Sequence, residues 1–185
     1  MGMGEPLMNY TNVLKANELI TSSEGLGMSP RRITVSTSGI PKMIKKLADD
    51  WPRCKLAVSL HSAIETTRNR IMPFTQHFPL PDLLESLQYW YKKTRSRITF
   101  EYVVWAGIND DEAAIAALVK FCKKVPSEVN LIEYNPIGED QFQQASQTAI
   151  DHYITALEKA GIVAKVRRSR GKDIDAACGQ LANKS

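Results

Sequence analysis

The sequence predicts an α/β fold in which parallel strands alternate with helices. Apolar runs typical of buried strands are separated by amphipathic segments whose length suits helices. Strands that alternate with helices in this way form βα units, and βα units build parallel sheets. At 185 residues, with 43% hydrophobic and 24% charged residues, the chain suits one domain that buries a substantial core.

The predicted strands are apolar or β-branched runs that end in polar residues. Lys55–His61 is a nearly continuous apolar run of the kind that parallel sheets bury on both faces. Arg97–Trp105 is the clearest strand in the chain. The remaining strands are predicted at Arg31–Gly39, Glu128–Pro136 and Ile162–Val166.

The predicted helices combine apolar residues at helical spacing with recognisable ends. The first helix is expected over Tyr10–Ser23, and the second begins at Pro41, a residue that suits a first helical turn. A third helix is expected over Pro79–Tyr91. The fourth begins at Asp110, where neighbouring acidic residues favour the positive end of a helix, and the fifth spans Ser146–Ala160.

Composition and charge limit the possible functional classes but do not identify one. The net charge of +4 and the pI of about 8.9 suit a nucleic-acid partner, but they also suit many unrelated proteins. The sequence has no apolar run long enough to cross a bilayer, so no membrane partner is expected. Cys54, Cys122 and Cys178 are widely spaced, which excludes a disulfide framework and a self-contained metal motif, and predicts a reducing, cytoplasmic location. Cys122 lies on an apolar helix stripe and is predicted to be core.

Polar residues recur where the predicted strands end. In parallel α/β folds ligands bind at the carboxyl ends of the strands, so these residues are expected to share one rim. They are Glu5, Ser36, Ser38, Ser59, His61 and Asn135. His61 could be a base or a ligand, although a lone histidine at this position is more often a hydrogen-bonded structural residue. No hydrolase or phosphate-loop motif is present, so the residues alone predict a rim without naming its reaction.

A cationic run precedes a cysteine near the end of the chain. Arg167, Arg168, Arg170 and Lys172 could contact phosphate groups or could form a solvated face. Cys178 is flanked by small residues, so a large ligand can approach it, and nearby arginines favour the reactive thiolate. A lone cysteine of this kind is nevertheless more often a small buried apolar residue.

The sequence around Cys178 carries a family resemblance. Residues 170–181, RGKDIDAACGQL, closely resemble the C-terminal signature of the RlmN/Cfr family of radical S-adenosylmethionine (SAM) RNA methyltransferases. Further motifs resemble family landmarks in the family's order: MGMGEPL at 1–7, RRITVSTSG at 31–39, LAVSLH at 56–61, FEYVV at 100–104, GIND at 107–110 and VNLIEYNP at 129–136. The resemblance covers essentially the whole chain.

The resemblance implies a fold and a set of binding residues. The fold would be a partial radical SAM (β/α)6 TIM-like barrel, with residues 1–185 as its C-terminal part, the first strands missing, and a catalytic-cysteine segment at about 167–181. Gly4 and Glu5 match the motif that holds the amino group of SAM. The other positions that match SAM contacts are Ser36, Ser59, Leu60, His61 and Asn135.

The resemblance also implies a reaction. Cys178 matches the cysteine that carries the methyl group: one SAM methylates its thiolate, and a second SAM is cleaved reductively at a [4Fe–4S] cluster. The resulting radical takes a hydrogen from the S-methyl group. The new carbon radical then adds to C2 of an adenine, a position too electrophilic for a simple methyl-cation donor. The implied partners are 23S rRNA, tRNA and an electron donor of the flavodoxin type.

One family feature is absent from this sequence. The cluster is held by Cys-x-x-x-Cys-x-x-Cys, and the three cysteines of this chain do not have that spacing. We therefore expect a C-terminal fragment with no metal site of its own, which is inactive alone. Two alternatives stay open, methylation at adenine C8 as in the Cfr type and a non-catalytic RNA-binding module; the C2 type is favoured because it is the commoner one.

Overall fold

The structure is a computed structural model that describes residues 4–135 and 142–167. The strands are β1 (Thr34–Thr37), β2 (Lys55–Ser59), β3 (Ile98–Val104), β4 (Ser127–Glu133) and β5 (Val163–Arg167). The helices are α1 (Tyr10–Thr21), α2 (Pro41–Asp50), α3 (Glu65–Ile71), α4 (Leu80–Thr94), α5 (Glu112–Cys122) and α6 (Gln147–Lys159). Short 3-10 helices span Pro6–Asn9, Pro30–Arg32 and Pro73–His77.

The strands form one sheet in which neighbours in sequence are neighbours in space. Its order is β1-β2-β3-β4-β5, and each adjacent pair is parallel. A doubly wound sheet would reverse its order at a switch point, whereas a βα barrel keeps chain order around its wall. The described strands follow the barrel pattern, which confirms the predicted α/β fold class.

The two faces of this sheet differ in chemistry. Residues in register on parallel strands point to the same side, so the pairings Val58↔Phe100↔Val129 and Ser59↔Glu101↔Asn130 define opposite faces. We call the first the helix-covered face, because its residues lie in the main hydrophobic cluster with the apolar stripes of the helices. We call the second the inner face.

Four helices, α2, α4, α5 and α6, bury apolar residues at the predicted helical spacing, whereas Asn17 is the only buried residue of α1. α4 begins at Leu80 and runs to Thr94, three residues beyond the predicted end. It stops where Arg95 takes a left-handed conformation with φ 56° and donates its N–H to the Tyr91 carbonyl. α3 was not predicted, because its sequence is polar and shows no apolar period. Within residues 4–135 and 142–167, no helix is long and apolar enough to span a membrane.

Candidate functional site

A cavity of about 650 Å³ lies where the carboxyl ends of β1, β2 and β3 meet the segment that follows Gly4. Its position agrees with the expectation that polar strand ends share one rim. Its described lining consists of Gly4, Glu5, Pro6, Ser36, Thr37, Ser38, Ser59, His61, Ile71, Met72 and Trp105. The cavity therefore combines one carboxylate, several hydroxyls and an imidazole with an apolar, partly aromatic edge.

Glu5 is the centre of a hydrogen-bond network at one end of the cavity. Its Oε1 accepts from the backbone N–H of Leu7 at 3.0 Å and from the Thr37 hydroxyl at 2.7 Å. Its Oε2 accepts from the Ser38 backbone N–H at 2.7 Å and from the Ser38 hydroxyl at 2.6 Å. The preceding residue, Gly4, has φ +88°, a conformation that glycine adopts without strain. The carboxylate is thus fixed before any ligand arrives.

His61 has an unusual backbone and a defined ring orientation. Its φ of 53° turns the chain sharply after β2, and its Nδ1 accepts the backbone N–H of Val103 at 3.1 Å. The neutral ring therefore carries its proton on Nε2. Burial, with a smaller contribution from the charge of Arg68, lowers the pKa of His61 to about 4. Near neutral pH this residue is a hydrogen-bond donor through Nε2, not a cation.

Asn109 fixes the loop that follows β3. It is fully buried, and its side-chain amide donates to the carbonyls of His61 at 2.7 Å and Val103 at 2.9 Å, while its Oδ1 accepts the Trp105 backbone N–H at 2.8 Å. The Trp105 ring in turn meets the His61 ring edge-on, with centroids 5.7 Å apart. From the sequence, Asn109 is expected only as part of a turn, since a turn asparagine gives no sign of such long-range bonds.

Arg68 of α3 is a second site residue that the sequence pattern does not reveal. It is 0% exposed, its Nε donates to the Leu60 carbonyl at 3.3 Å, and its Nη2 donates to the Ser38 carbonyl at 2.7 Å. Burial lowers the pKa of this guanidinium to about 10, so it remains a cation at neutral pH. Arg68 therefore joins the loops that follow β1 and β2.

The predicted SAM-binding residues fall into two groups. Gly4, Glu5, Ser36, Ser59 and His61 all line the cavity. Two others differ. The Leu60 side chain is buried in the core, its N–H donates to Glu101 and its carbonyl accepts from Arg68. Asn135 is buried two residues beyond β4, and it is not among the described residues that line the cavity.

The residues of the C-terminal segment can be placed only in part. Arg167 ends β5, and its Nη1 lies 3.7 Å from Oε2 of the buried Glu101 on the inner face. The predicted RNA contacts Arg168, Arg170 and Lys172 and the predicted catalytic Cys178 lie outside the described residues.

The two described cysteines are unreactive by their surroundings. Cys54 and Cys122 are buried, and burial raises the pKa of each thiol to about 12. The prediction that Cys122 belongs to the core is confirmed. Across residues 4–135 and 142–167, no three His, Cys, Asp or Glu side chains come together to hold a metal ion.

Similar proteins were found among curated sequences and solved structures. No protein-family model matches the chain. The "Probable dual-specificity RNA methyltransferase RlmN" of Flavobacterium psychrophilum is 73% identical over 184 residues, which cover 100% of this chain and 53% of that protein. The protein of the same name from Flavobacterium johnsoniae is 71% identical with the same coverage. A radical SAM methyltransferase from Sphaerobacter thermophilus is 39% identical in its crystal structure, with a TM-score of 0.93, and the match covers 97% of this chain and 53% of that one.

These matches run along the whole chain and agree with its fold. The chain therefore belongs to the RlmN/Cfr family of radical SAM RNA methyltransferases. It spans about half the length of the curated relatives it matches.

Proposed function

We propose that this chain forms a SAM-binding wall of a radical SAM methyltransferase that modifies RNA. The observation that carries the proposal is the cavity in which Glu5, Ser36, Ser59 and His61 meet. SAM presents an ammonium, a carboxylate and ribose hydroxyls, which need an acceptor and several donors on one rim. The names of the relatives support RNA as the substrate.

The donor set of the cavity fits SAM, although Glu5 needs to exchange a partner. All four hydrogen bonds to its carboxylate come from the protein itself. Two donors are backbone N–H groups that cannot turn away, whereas the Ser38 hydroxyl can rotate. An arriving ammonium group would replace this hydroxyl and gain a charge-assisted bond.

When bound, SAM and a [4Fe–4S] cluster supply a methyl group and one-electron chemistry. The residues of this chain bind and orient. Ser36 and Ser59 offer hydroxyls, His61 donates from Nε2, and Trp105 covers one apolar edge of the cavity. The Cys178 thiolate would accept the methyl group as a thioether, and this methyl carbon would become the one attached to RNA.

We propose C2 of an adenine in 23S rRNA and in tRNA as the acceptor, with an electron donor of the flavodoxin type and a cytoplasmic location. Arg167, Arg168, Arg170 and Lys172 would contact phosphate groups of the RNA. Nuclease digestion and mass spectrometry of RNA from cells expressing the complete enzyme distinguish 2-methyladenosine from 8-methyladenosine. Finding only the latter would move the assignment to the C8 type.

SAM binding to this chain tests the proposal most directly. Titration of SAM into the ¹⁵N-labelled chain should shift signals of cavity residues, and Ser59→Ala should weaken the affinity about three- to tenfold, as expected for one lost hydrogen bond. Thr99→Ala is the matched control, because Thr99 shares the inner face but does not line the cavity. Equal weakening by both substitutions, or no shift at all with SAM, would contradict the proposal.

We also propose that this chain by itself does not methylate RNA, because its cysteines lack the cluster spacing. Anaerobic reconstitution with iron and sulfide should leave no cluster absorbance and no methylated RNA. Either signal from the chain alone would overturn this part of the proposal.

A further inference from the structure

We propose that Arg68 is a positioning residue for the SAM site, because its guanidinium holds together the two loops that carry the polar groups of the cavity. The ligand in this inference rests on the function proposed above. The arrangement of Arg68, Ser38 and Leu60 is a property of the described residues themselves.

The first link runs from Arg68 to Glu5. Nη2 of Arg68 binds the carbonyl of Ser38 at 2.7 Å, and the N–H and hydroxyl of the same Ser38 bind Oε2 of Glu5 at 2.7 and 2.6 Å. Ser38 is thus held on both sides. If the Ser38 carbonyl were released, the Ser38–Gly39 peptide could rotate. The N–H of Gly39 would then leave the Thr37 hydroxyl, which it binds at 3.0 Å and which itself donates to Glu5 at 2.7 Å.

The second link runs from Arg68 to His61. Nε of Arg68 binds the carbonyl of Leu60, the residue immediately before His61, at 3.3 Å. His61 follows with φ 53°, so its orientation depends on how the end of β2 is held. The positive charge of Arg68 also disfavours an imidazolium at His61, which agrees with a ring whose Nδ1 accepts a backbone N–H. Arg68 therefore supports the Nε2 donor that His61 offers to the cavity.

The surroundings of Arg68 explain why an arginine is needed. No carboxylate of the described residues forms an ion pair with it, and the carboxylate of Glu65, one turn earlier on α3, accepts the backbone N–H of Leu80 instead. A buried cation without a carboxylate is unfavourable for stability alone. Its planar fork reaches two carbonyls on different loops, which a lysine ammonium cannot do with the same geometry.

The fit around the guanidinium is close. A Cβ built on Gly39 would lie 3.4 Å from Nη2 of Arg68 and 3.0 Å from Cδ1 of Leu83. Gly39 also has φ +99°, so both its conformation and its missing side chain are required beside the arginine. The guanidinium of Arg68 therefore packs between the end of β1 and the hydrophobic core.

The experiment compares Arg68→Gln and Arg68→Lys with Arg70→Gln, a control on the exposed side of the same helix. The chain is ¹⁵N-labelled, SAM is the probe, and two quantities are measured: the SAM dissociation constant and the ring-nitrogen shifts of His61. We expect Arg68→Gln to weaken SAM binding about tenfold, as two hydrogen bonds are lost, and to shift the His61 nitrogens away from a single Nε2–H tautomer. Arg68→Lys should keep the His61 tautomer and weaken SAM binding less, while Arg70→Gln should change neither quantity.

The remaining outcomes would contradict either the positioning role of Arg68 or the proposed SAM site. Unchanged SAM affinity and unchanged His61 shifts in both Arg68 variants would overturn the positioning role. Loss of the fold in both variants would make Arg68 a general stability residue and would overturn it equally. If the unsubstituted chain does not bind SAM, the proposed function fails, and the His61 shifts alone then decide whether Arg68 positions the loop.

Discussion

The helix-covered face and the inner face of the sheet are built from the same five strands, but they are stabilised by different interactions. On the helix-covered face, Val58, Phe100 and Leu131 are 0% exposed and pack against apolar helix stripes. On the inner face, Glu101 accepts from the Asn130 amide at 2.9 Å and Thr99 donates to Glu128 at 3.1 Å. The helix-covered face is therefore stabilised by the burial of apolar area, and the inner face by hydrogen bonds between side chains.

This difference separates stability from chemistry within single strands. Apolar burial is non-directional and large, so the helix-covered face fixes the fold. Polar bonds contribute less to net stability but have direction, so residues such as Ser59 on the inner face can orient a ligand. Substitutions on the two faces should therefore differ first in the free energy of unfolding and second in ligand binding.

The largest expected effect is on the helix-covered face. Phe100→Ala should lower the free energy of unfolding by about 3–5 kcal/mol, because it removes a fully buried ring that meets Phe121 at 5.6 Å. Thr99→Ala on the opposite face of the same strand should cost about 1 kcal/mol or less. Chemical denaturation of both variants measures the contrast, and equal losses would remove the distinction between the faces.

The next effect concerns His61 and pH. Its pKa of about 4 in the folded chain lies below its ordinary value of 6.5 because of burial, aided by the charge of Arg68. On acidification the unfolded chain takes up this proton first. The stability from neutral His61 is therefore complete above about pH 6.5 and is lost as pH falls towards 4, by up to about 3 kcal/mol.

A substitution isolates this contribution from the carboxylates, which titrate in an overlapping range. His61→Gln should flatten the dependence of unfolding free energy on pH between about 4 and 6.5. Denaturation curves recorded across that interval provide the measurement. A variant whose slope matches that of the unsubstituted chain would show that His61 is not held neutral.

A smaller effect on stability is expected at the helix-covered face, where the hydroxyls of Tyr102 and Tyr153 lie side by side. Tyr153 donates to the Asn109 carbonyl at 2.5 Å and lies 3.1 Å from the Tyr102 hydroxyl, and burial raises the pKa of Tyr102 to about 12. Tyr153→Phe should cost about 1–2 kcal/mol because both partners stay buried without this bond. Thermal unfolding at fixed pH tests it, and Tyr89→Phe, whose hydroxyl bonds an exposed carboxylate, is the control. A Tyr153→Phe variant as stable as that control would argue against the bond.

The smallest effect is expected for an ion pair at the edge of the inner face. Lys165 lies 3.0 Å from Glu128; partial burial would raise the pKa of Glu128, but bonds from Lys165 and Thr99 hold it below its ordinary value. Lys165→Ala should change the free energy of unfolding by less than about 1 kcal/mol, since such pairs are screened by solvent. Repeating the measurement at high salt should shrink the difference further. A loss well above this range would mean that the pair is an anchor of β5.

The difference between the two faces also explains which features of the fold and of the site could be predicted from the sequence. The helices that cover the sheet were predictable where their apolar residues repeat at helical spacing, as Leu83 and Leu87 do along α4. Polar strand ends such as Ser59 and His61 were predictable because parallel topology gathers them at one rim. Both signals are local in sequence.

The residues that connect the rim were not predictable. Arg68 binds a carbonyl 30 residues earlier, and Asn109 binds one 48 residues earlier. Such bonds leave no periodic trace, and a polar helix such as α3 looks like a loop when read alone. Their partners are backbone carbonyls, which every residue carries, so no side-chain pattern marks them.

The burial of Cys54 and Cys122 has a practical consequence for protein chemistry. Thiols whose pKa lies near 12 are almost entirely protonated at neutral pH, and these two are also shielded from reagents. Alkylation of the native chain should therefore leave both unmarked. A mass increase of one label would then report alkylation of Cys178 alone. The unaltered sequence can therefore be used to follow this single thiol.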